Sequence, residues 1–97
     1  MTEDTGNQRF VGPVMKAGEI GEAVIDAIHE DNEGREINVE EHESYFRVKV
    51  RGECIIRFDT VAEMLGREVH LSDIESSMPA FEGFIRTDSE KLRFLSK

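Results

Sequence analysis

The 97-residue chain has one cysteine, two prolines, one tyrosine and no tryptophan, and its basic residues are in marked deficit, 12 Lys and Arg against 21 Asp and Glu. Each scarcity closes off a class of protein. Cys54 has no second cysteine to pair with, so no internal disulfide forms, which agrees with a reducing compartment. It stands in an alternating apolar run and reads as a packing residue rather than a reactive thiol. No apolar stretch approaches the roughly 20 residues that cross a bilayer, and MTEDTGNQ is polar and acidic where a secretory signal is basic and then apolar. A cytoplasmic protein without a membrane partner is expected. The formal charge of −9 also argues against nucleic acid, because neutralising phosphates takes clustered Lys and Arg.

The residue patterns of common active sites are missing too. His29, His42 and His70 are far apart and stand near no cysteine pair, so no zinc pattern exists. Asp26 and His29 have the i, i+3 spacing of di-iron carboxylate helices, but such sites draw ligands from several long helices. A solvated helix face accounts for the pair. Gly12, Gly18 and Gly21 match neither a dinucleotide fingerprint nor a phosphate loop, and no serine has a nucleophile-elbow context. No catalytic, cofactor-binding or metal-binding residue is assigned, and the chain is not expected to be an enzyme.

What is present is one modest core's worth of apolar residues, 38% of the chain, beside 34% charged. The charge is uneven. Residues 1–44 hold twelve Asp or Glu and three Lys or Arg, whereas residues 45–97 hold nine of each. Either the acidic half steers the protein to a basic partner surface or it keeps a small domain soluble.

Residues 1–9 carry no periodicity and are expected to be a flexible tail; residues 10–97 form a single domain. Phe10 to Met15 is extended, with Pro13 pointing to an edge or strand-end position. Gly18, the first-turn acids Glu19 and Glu22, and the stop at Asn32-Glu33-Gly34 bound a helix over 19–31. Ile20, Ala23, Val24, Ala27 and Ile28 make its apolar stripe. Ile25 lies off that stripe, with Gly21 between. Two readings stay open: a contact surface of Ile25 beside bare backbone, or a core wide enough to take Ile25 in.

Ile37 and Val39, then Phe46, Val48 and Val50, alternate with polar residues on either side of a polar turn, which predicts a β-hairpin. Its outer face brings Arg47, Lys49 and Arg51 beside Glu36 and Glu40. Gly52 bends the chain before a strand through Cys54, Ile56 and Phe58. Thr60 to Glu63 has capping-box spacing for a short helix ending at Gly66. Val69 to Leu71 reads as a brief strand, and Ser72 to Glu75 as a helical turn with the same box. Strands at Phe84 to Thr87 and Lys91 to Leu95 close the chain. The order of elements suggests two related β-α-β-β units, 10–52 and 53–97, in a two-layer α/β (α+β) fold with a mixed sheet.

Several segments together carry a family resemblance. Val11-Gly12-Pro13-Val14-Met15-Lys16-Ala17-Gly18-Glu19-Ile20, Val24-Ile25, Glu30-Asp31-Asn32, Tyr45-Phe46-Arg47-Val48, Gly52-Glu53, Leu65-Gly66-Arg67 and Phe81-Glu82-Gly83-Phe84-Ile85-Arg86-Thr87 resemble the effector, or coupling and regulatory, proteins of bacterial multicomponent di-iron monooxygenases. The pattern is most similar to the toluene and alkene branch, and the chain is short of the long N-terminal tail of the methane branch. The resemblance implies the regulatory-protein fold, no cofactor, and a di-iron hydroxylase as partner, docked near the active-site helices of its large subunit. It further implies functional association with a reductase and a Rieske ferredoxin, and a protein that is a monomer when free. The effector would couple electron and oxygen use to hydroxylation or epoxidation of an aromatic or alkene hydrocarbon.

For the docking face, the residues themselves nominate Gly21, Glu22, Ile25 and His29 on the long helix, with the Val11, Gly12, Pro13 and Val14 segment. The alternative is a small ligand-binding or protein-interaction module, for which polar anchors are few.

Overall fold

A computed structural model describes residues 9–96. The expected tail therefore lies outside the described residues except for Arg9, whose carbonyl accepts a hydrogen bond from Gly52 N at 2.9 Å. The first strand, β1 (Phe10–Lys16), leads into helix α1 (Glu19–Asp31), whose bounds are those that the capping signals predict. The hairpin follows as β2 (Ile37–Glu41) and β3 (Tyr45–Arg51), with Phe46, Val48 and Val50 buried on its inner face. Then come β4 (Glu53–Arg57), α2 (Phe58–Leu65), α3 (Leu71–Ser76), β5 (Ala80–Glu82), β6 (Phe84–Thr87) and β7 (Lys91–Leu95).

The strands form two sheets, ordered β2-β3-β1-β5 and β4-β7-β6, and every pairing is antiparallel where one mixed sheet was expected. The chain passes between the sheets twice, from β3 to β4 and from β5 to β6, and a glycine in the left-handed region stands at each passage: Gly52 (φ 87°) and Gly83 (φ 107°). A turn that swings one strand's continuation into another sheet needs a backbone angle that residues with a Cβ rarely adopt. At Gly83 there is also no room, since a Cβ would lie 2.8 Å from both the Leu95 carbonyl oxygen and a Val11 methyl.

Both sheets share one core. Met15, Val24, Ile28, Val48 and Val50 pack with Cys54, Ile56, Val61, Ile74, Leu92 and Phe94 in a continuous cluster. Helix α1 crosses it, packing against β3, β4 and α2. Its C-terminus is tied to the second sheet by side chains. Asn32, 2% exposed, donates from Nδ2 to the Ile28 and Ile55 carbonyls at 2.8 and 2.7 Å, and its Oδ1 accepts from Ile55 N at 2.8 Å.

Several local expectations yield to this tertiary frame. Pro13 is interior, between β3 and β5, because the ladder to β3 has no paired residues at Gly12 or Pro13 and resumes at Val14; the missing amide is accommodated by a gap in place of an edge. Phe58 opens α2 and does not extend β4. The Thr60 box does not cap that helix. Asp31 does instead, accepting from Arg57 N and from the Thr60 hydroxyl, both at 2.8 Å. No strand forms at Val69 to Leu71; α3 starts there with His70 as its N-cap, and Asp73 accepts from His70 N at 2.9 Å.

Candidate docking surface

The eight nominated residues separate into two sets. Val11, Gly12, Pro13 and Val14 lie in β1, an interior strand of the first sheet, all buried, Val11 at 2% and Val14 at 8% exposure. They give the sheet its shape and present little free surface. Gly21 is buried as well. A Cβ there would stand 2.3 Å from the Lys16 carbonyl oxygen, so this glycine is where α1 leans against the end of β1. Its reason is internal packing.

Glu22, Ile25 and His29 remain together on the outer side of α1. Glu22 and His29 are exposed, and Ile25 is half-buried, packed in part against the core. His29 Nδ1 donates to the Ile25 carbonyl at 3.1 Å. Beside them Asp26 and Glu30 are exposed. Arg67 meets Glu19 at 3.3 Å at the start of the helix, but no ion pair joins Glu22, Asp26 or Glu30 among the described residues. The strip is an apolar side chain framed by unneutralised carboxylates.

The hairpin's outer face carries the expected cross-strand pairs: Lys49 with Glu40 at 3.0 Å, Arg47 with Glu40 at 3.8 Å and Arg51 with Glu36 at 2.9 Å. The hydrogen bond from Lys49 holds the Glu40 carboxyl below its ordinary range. Arg51 also lies over the Phe10 ring, 4.4 Å from its centroid. At the other end of that face is an open groove of about 600 Å³ over Val14, Pro79 and Ala80, bordered by Lys16, Tyr45 and Arg47. Another exposed apolar region, Phe81 at 43% and Phe84 at 57%, flanks Gly83. Of the residues that form them, only Val14 is among those the sequence nominates. Helical and strand periodicities locate side chains on single elements, whereas the groove arises where β1, β3 and β5 meet and the patch where β5 passes into β6.

Burial raises the Cys54 thiol far above the usual range, leaving it protonated and unreactive. Among the described residues no three His, Cys, Asp or Glu side chains converge as a metal site requires. No helix among them is long and apolar enough to cross a membrane.

Comparison with known proteins gives this surface a context. A sequence profile of the MmoB/DmpM family matches residues 9–95. The chain is 34% identical over 96 residues to the effector subunit of the alkene monooxygenase system of Xanthobacter autotrophicus, covering 99% of this chain and 95% of that protein. In fold it is similar to a chain of the phenol hydroxylase–regulatory protein complex, with TM-score 0.75 and 17% identity over 91% of this chain and 97% of that one. It is also similar to the soluble methane monooxygenase regulatory protein B, with TM-score 0.68 and 23% identity over all of this chain and 69% of that one.

Proposed function

Because the chain belongs to the MmoB/DmpM family, we propose that it is the effector of a multicomponent monooxygenase, binding the di-iron hydroxylase component and coupling electron and oxygen use to oxidation of a hydrocarbon. The observation that carries this reading is the 34% identity, along nearly the whole of both chains, to an alkene monooxygenase effector subunit. That relative favours an alkene as the oxidised substrate, with an aromatic hydrocarbon as the alternative. A reductase and a Rieske ferredoxin would supply electrons to the hydroxylase, not to this chain.

The physical task of such a protein is a shift of conformational equilibrium. A partner moves an equilibrium only by its differential affinity for the two states, so the effector must fit the reactive hydroxylase better than the resting one. Shape and surface charge suffice. The outer strip of α1 suits the task, since Ile25 offers an apolar contact and Glu22, Asp26 and His29 surround it with polar groups whose pairing requires correct placement. Asn32 and Asp31 fix the far end of the same helix to the second sheet, so the strip is presented on a rigid element.

Two measurements test this. In the reconstituted system of hydroxylase, electron-transfer components and this protein, product formed per reductant consumed should rise when the protein is added; no change with adequate binding conditions removes the functional reading. Ile25→Glu should then weaken affinity for the hydroxylase by about 5- to 30-fold, as loss of a contact worth roughly 1–2 kcal/mol would. If affinity and coupling are both unchanged, the α1 strip is not the docking face.

A further inference from the structure

We infer that the groove on the outer face of the first sheet is a second docking site, for a segment of the partner hydroxylase that carries an acidic side chain next to an apolar one. The inference rests on the proposed effector function and adds a surface to it. Strand pairing sets the geometry. Val14 pairs with Arg47 and with Ala80, and Lys16 pairs with Tyr45, so these side chains emerge on one face of three adjacent strands. Val14 and Ala80, with Pro79, make an apolar floor, and Lys16, Tyr45 and Arg47 stand at its border.

Charge decides what fits there. The cavity at Arg35, Glu36, Arg51 and Glu53 carries as many acids as bases, and so does the one at Arg9 and Glu82. The groove carries Lys16 and Arg47 and no acid, on a chain whose net charge is −9. Local carboxylates neutralise these two cations only in part. Lys16 has no ion-pair partner among the described residues, and Arg47 has only a 3.8 Å approach to Glu40. That carboxylate is already engaged by Lys49 at 3.0 Å and approached by His42 at 3.7 Å. An apolar floor rimmed by Lys16, which has no ion pair among the described residues, and by Arg47, which shares Glu40 with Lys49 and His42, is complementary to an acidic and apolar segment.

Position argues for the hydroxylase as the owner of that segment. Ala17 borders the groove, and Gly18 follows it directly as the N-cap of α1, so the groove and the first turn of the helix, where Glu22 lies, adjoin along the chain. A partner that contacts that first turn is brought next to the groove. The two surfaces have opposite charge, acidic on α1 and basic in the groove, so together they admit one orientation of the partner and disfavour its reverse.

The test uses the full-length chain and the purified hydroxylase, with binding followed over a range of salt concentrations. Lys16→Glu combined with Arg47→Glu should raise Kd at least about tenfold at low salt, mainly through slower association, and should flatten the salt dependence. Ala80→Trp, which fills the groove and leaves its charges, should weaken binding by a comparable factor through faster dissociation. Circular dichroism and thermal melting confirm that each variant is folded; should the double variant fail to fold, Lys16→Gln alone and Ala80→Trp carry the test. Wild-type affinity retained by the folded charge and groove variants overturns the inference while leaving the effector function intact. If the wild-type chain itself does not bind, the functional reading fails first, and Ile25→Glu separates the α1 strip from the groove when binding is seen.

Discussion

Gly21 is the third residue of α1, and its Cα rests against the Lys16 carbonyl, closer than any side chain allows. Alanine there improves helix propensity by about 1 kcal/mol, yet its methyl carbon would meet fixed backbone oxygen at 2.3 Å. Overpacking of this kind costs about 1–3 kcal/mol, and the backbone partner places it at the upper end. Gly21→Ala should therefore lower stability in urea unfolding, and equal or greater stability would mean that α1 lifts from β1 without cost. The sequence places Gly21 beside Ile25 and leaves open whether a contact surface or a wide core lies there. A helical wheel gives the angle of a position but not what crosses it, and the crossing strand end comes from a different segment. Cys54 was legible for the opposite reason, because alternation alone places it inward. Its buried thiol should resist a thiol reagent at pH 8 in the folded protein and react fully in denaturant.

At the scale of elements, the well-read segments are those whose signals are local and redundant. Helix α1 has acids in its first turn, an apolar stripe and an asparagine stop, and the β2–β3 hairpin alternates over its length. Strand β5 has three residues, all exposed, directly after Pro79, and no alternation marks it; it exists because β1 offers Gly12 to Val14 as an edge. The Thr60 box failed because Asp31, from a distant helix end, took over both the hydroxyl and a backbone donor. Asn32 next to it sits in the same joint, with three side-chain hydrogen bonds and almost no exposure. Replacing it by alanine strands the Ile55 amide, an unmade buried bond worth about 1–3 kcal/mol. Amide exchange of Ile55 in Asn32→Ala should speed up with that loss, and unchanged exchange would show that the joint does not depend on the asparagine.

The β6–β7 turn gives a pH-dependent element. The Asp88 carboxylate accepts from Glu90 N at 2.8 Å and Lys91 N at 2.9 Å, and these backbone bonds, Glu90's first, hold its pKa below the ordinary 3.8. A pKa lowered by folding means that the turn's stabilisation is complete above the unfolded value and is lost as pH falls through the folded one. Glu90 and Lys91 amide shifts should thus titrate with a midpoint below 3.8, and Asp88→Asn should abolish that titration. A midpoint at or above 3.8 contradicts the turn's hydrogen bonding.

For the molecule as a whole, the two β-α-β-β units suggested by element order correspond only loosely to the two sheets, since β5 of the second half pairs into the first sheet. The exchange, with α1 and its Asn32 tie to β4, makes the halves depend on one core. Phe94 is a direct probe of that dependence. It is fully buried on β7 in the second sheet, and its ring lies 5.5 Å from that of Phe81 in the first. Phe94→Ala should cost about 3–5 kcal/mol, a large share of the roughly 5–15 kcal/mol that stabilises a small domain. Tyr45, the only tyrosine, reports on the first sheet by its fluorescence, while far-ultraviolet dichroism reports on the whole chain. If one core holds both sheets, the substitution lowers the Tyr45 transition and the dichroism transition together. A Tyr45 transition that stays at its wild-type midpoint while the dichroism splits would show two separable units. In that case the α1 strip and the groove would belong to a first sheet able to fold by itself, and their relative placement would not require the second.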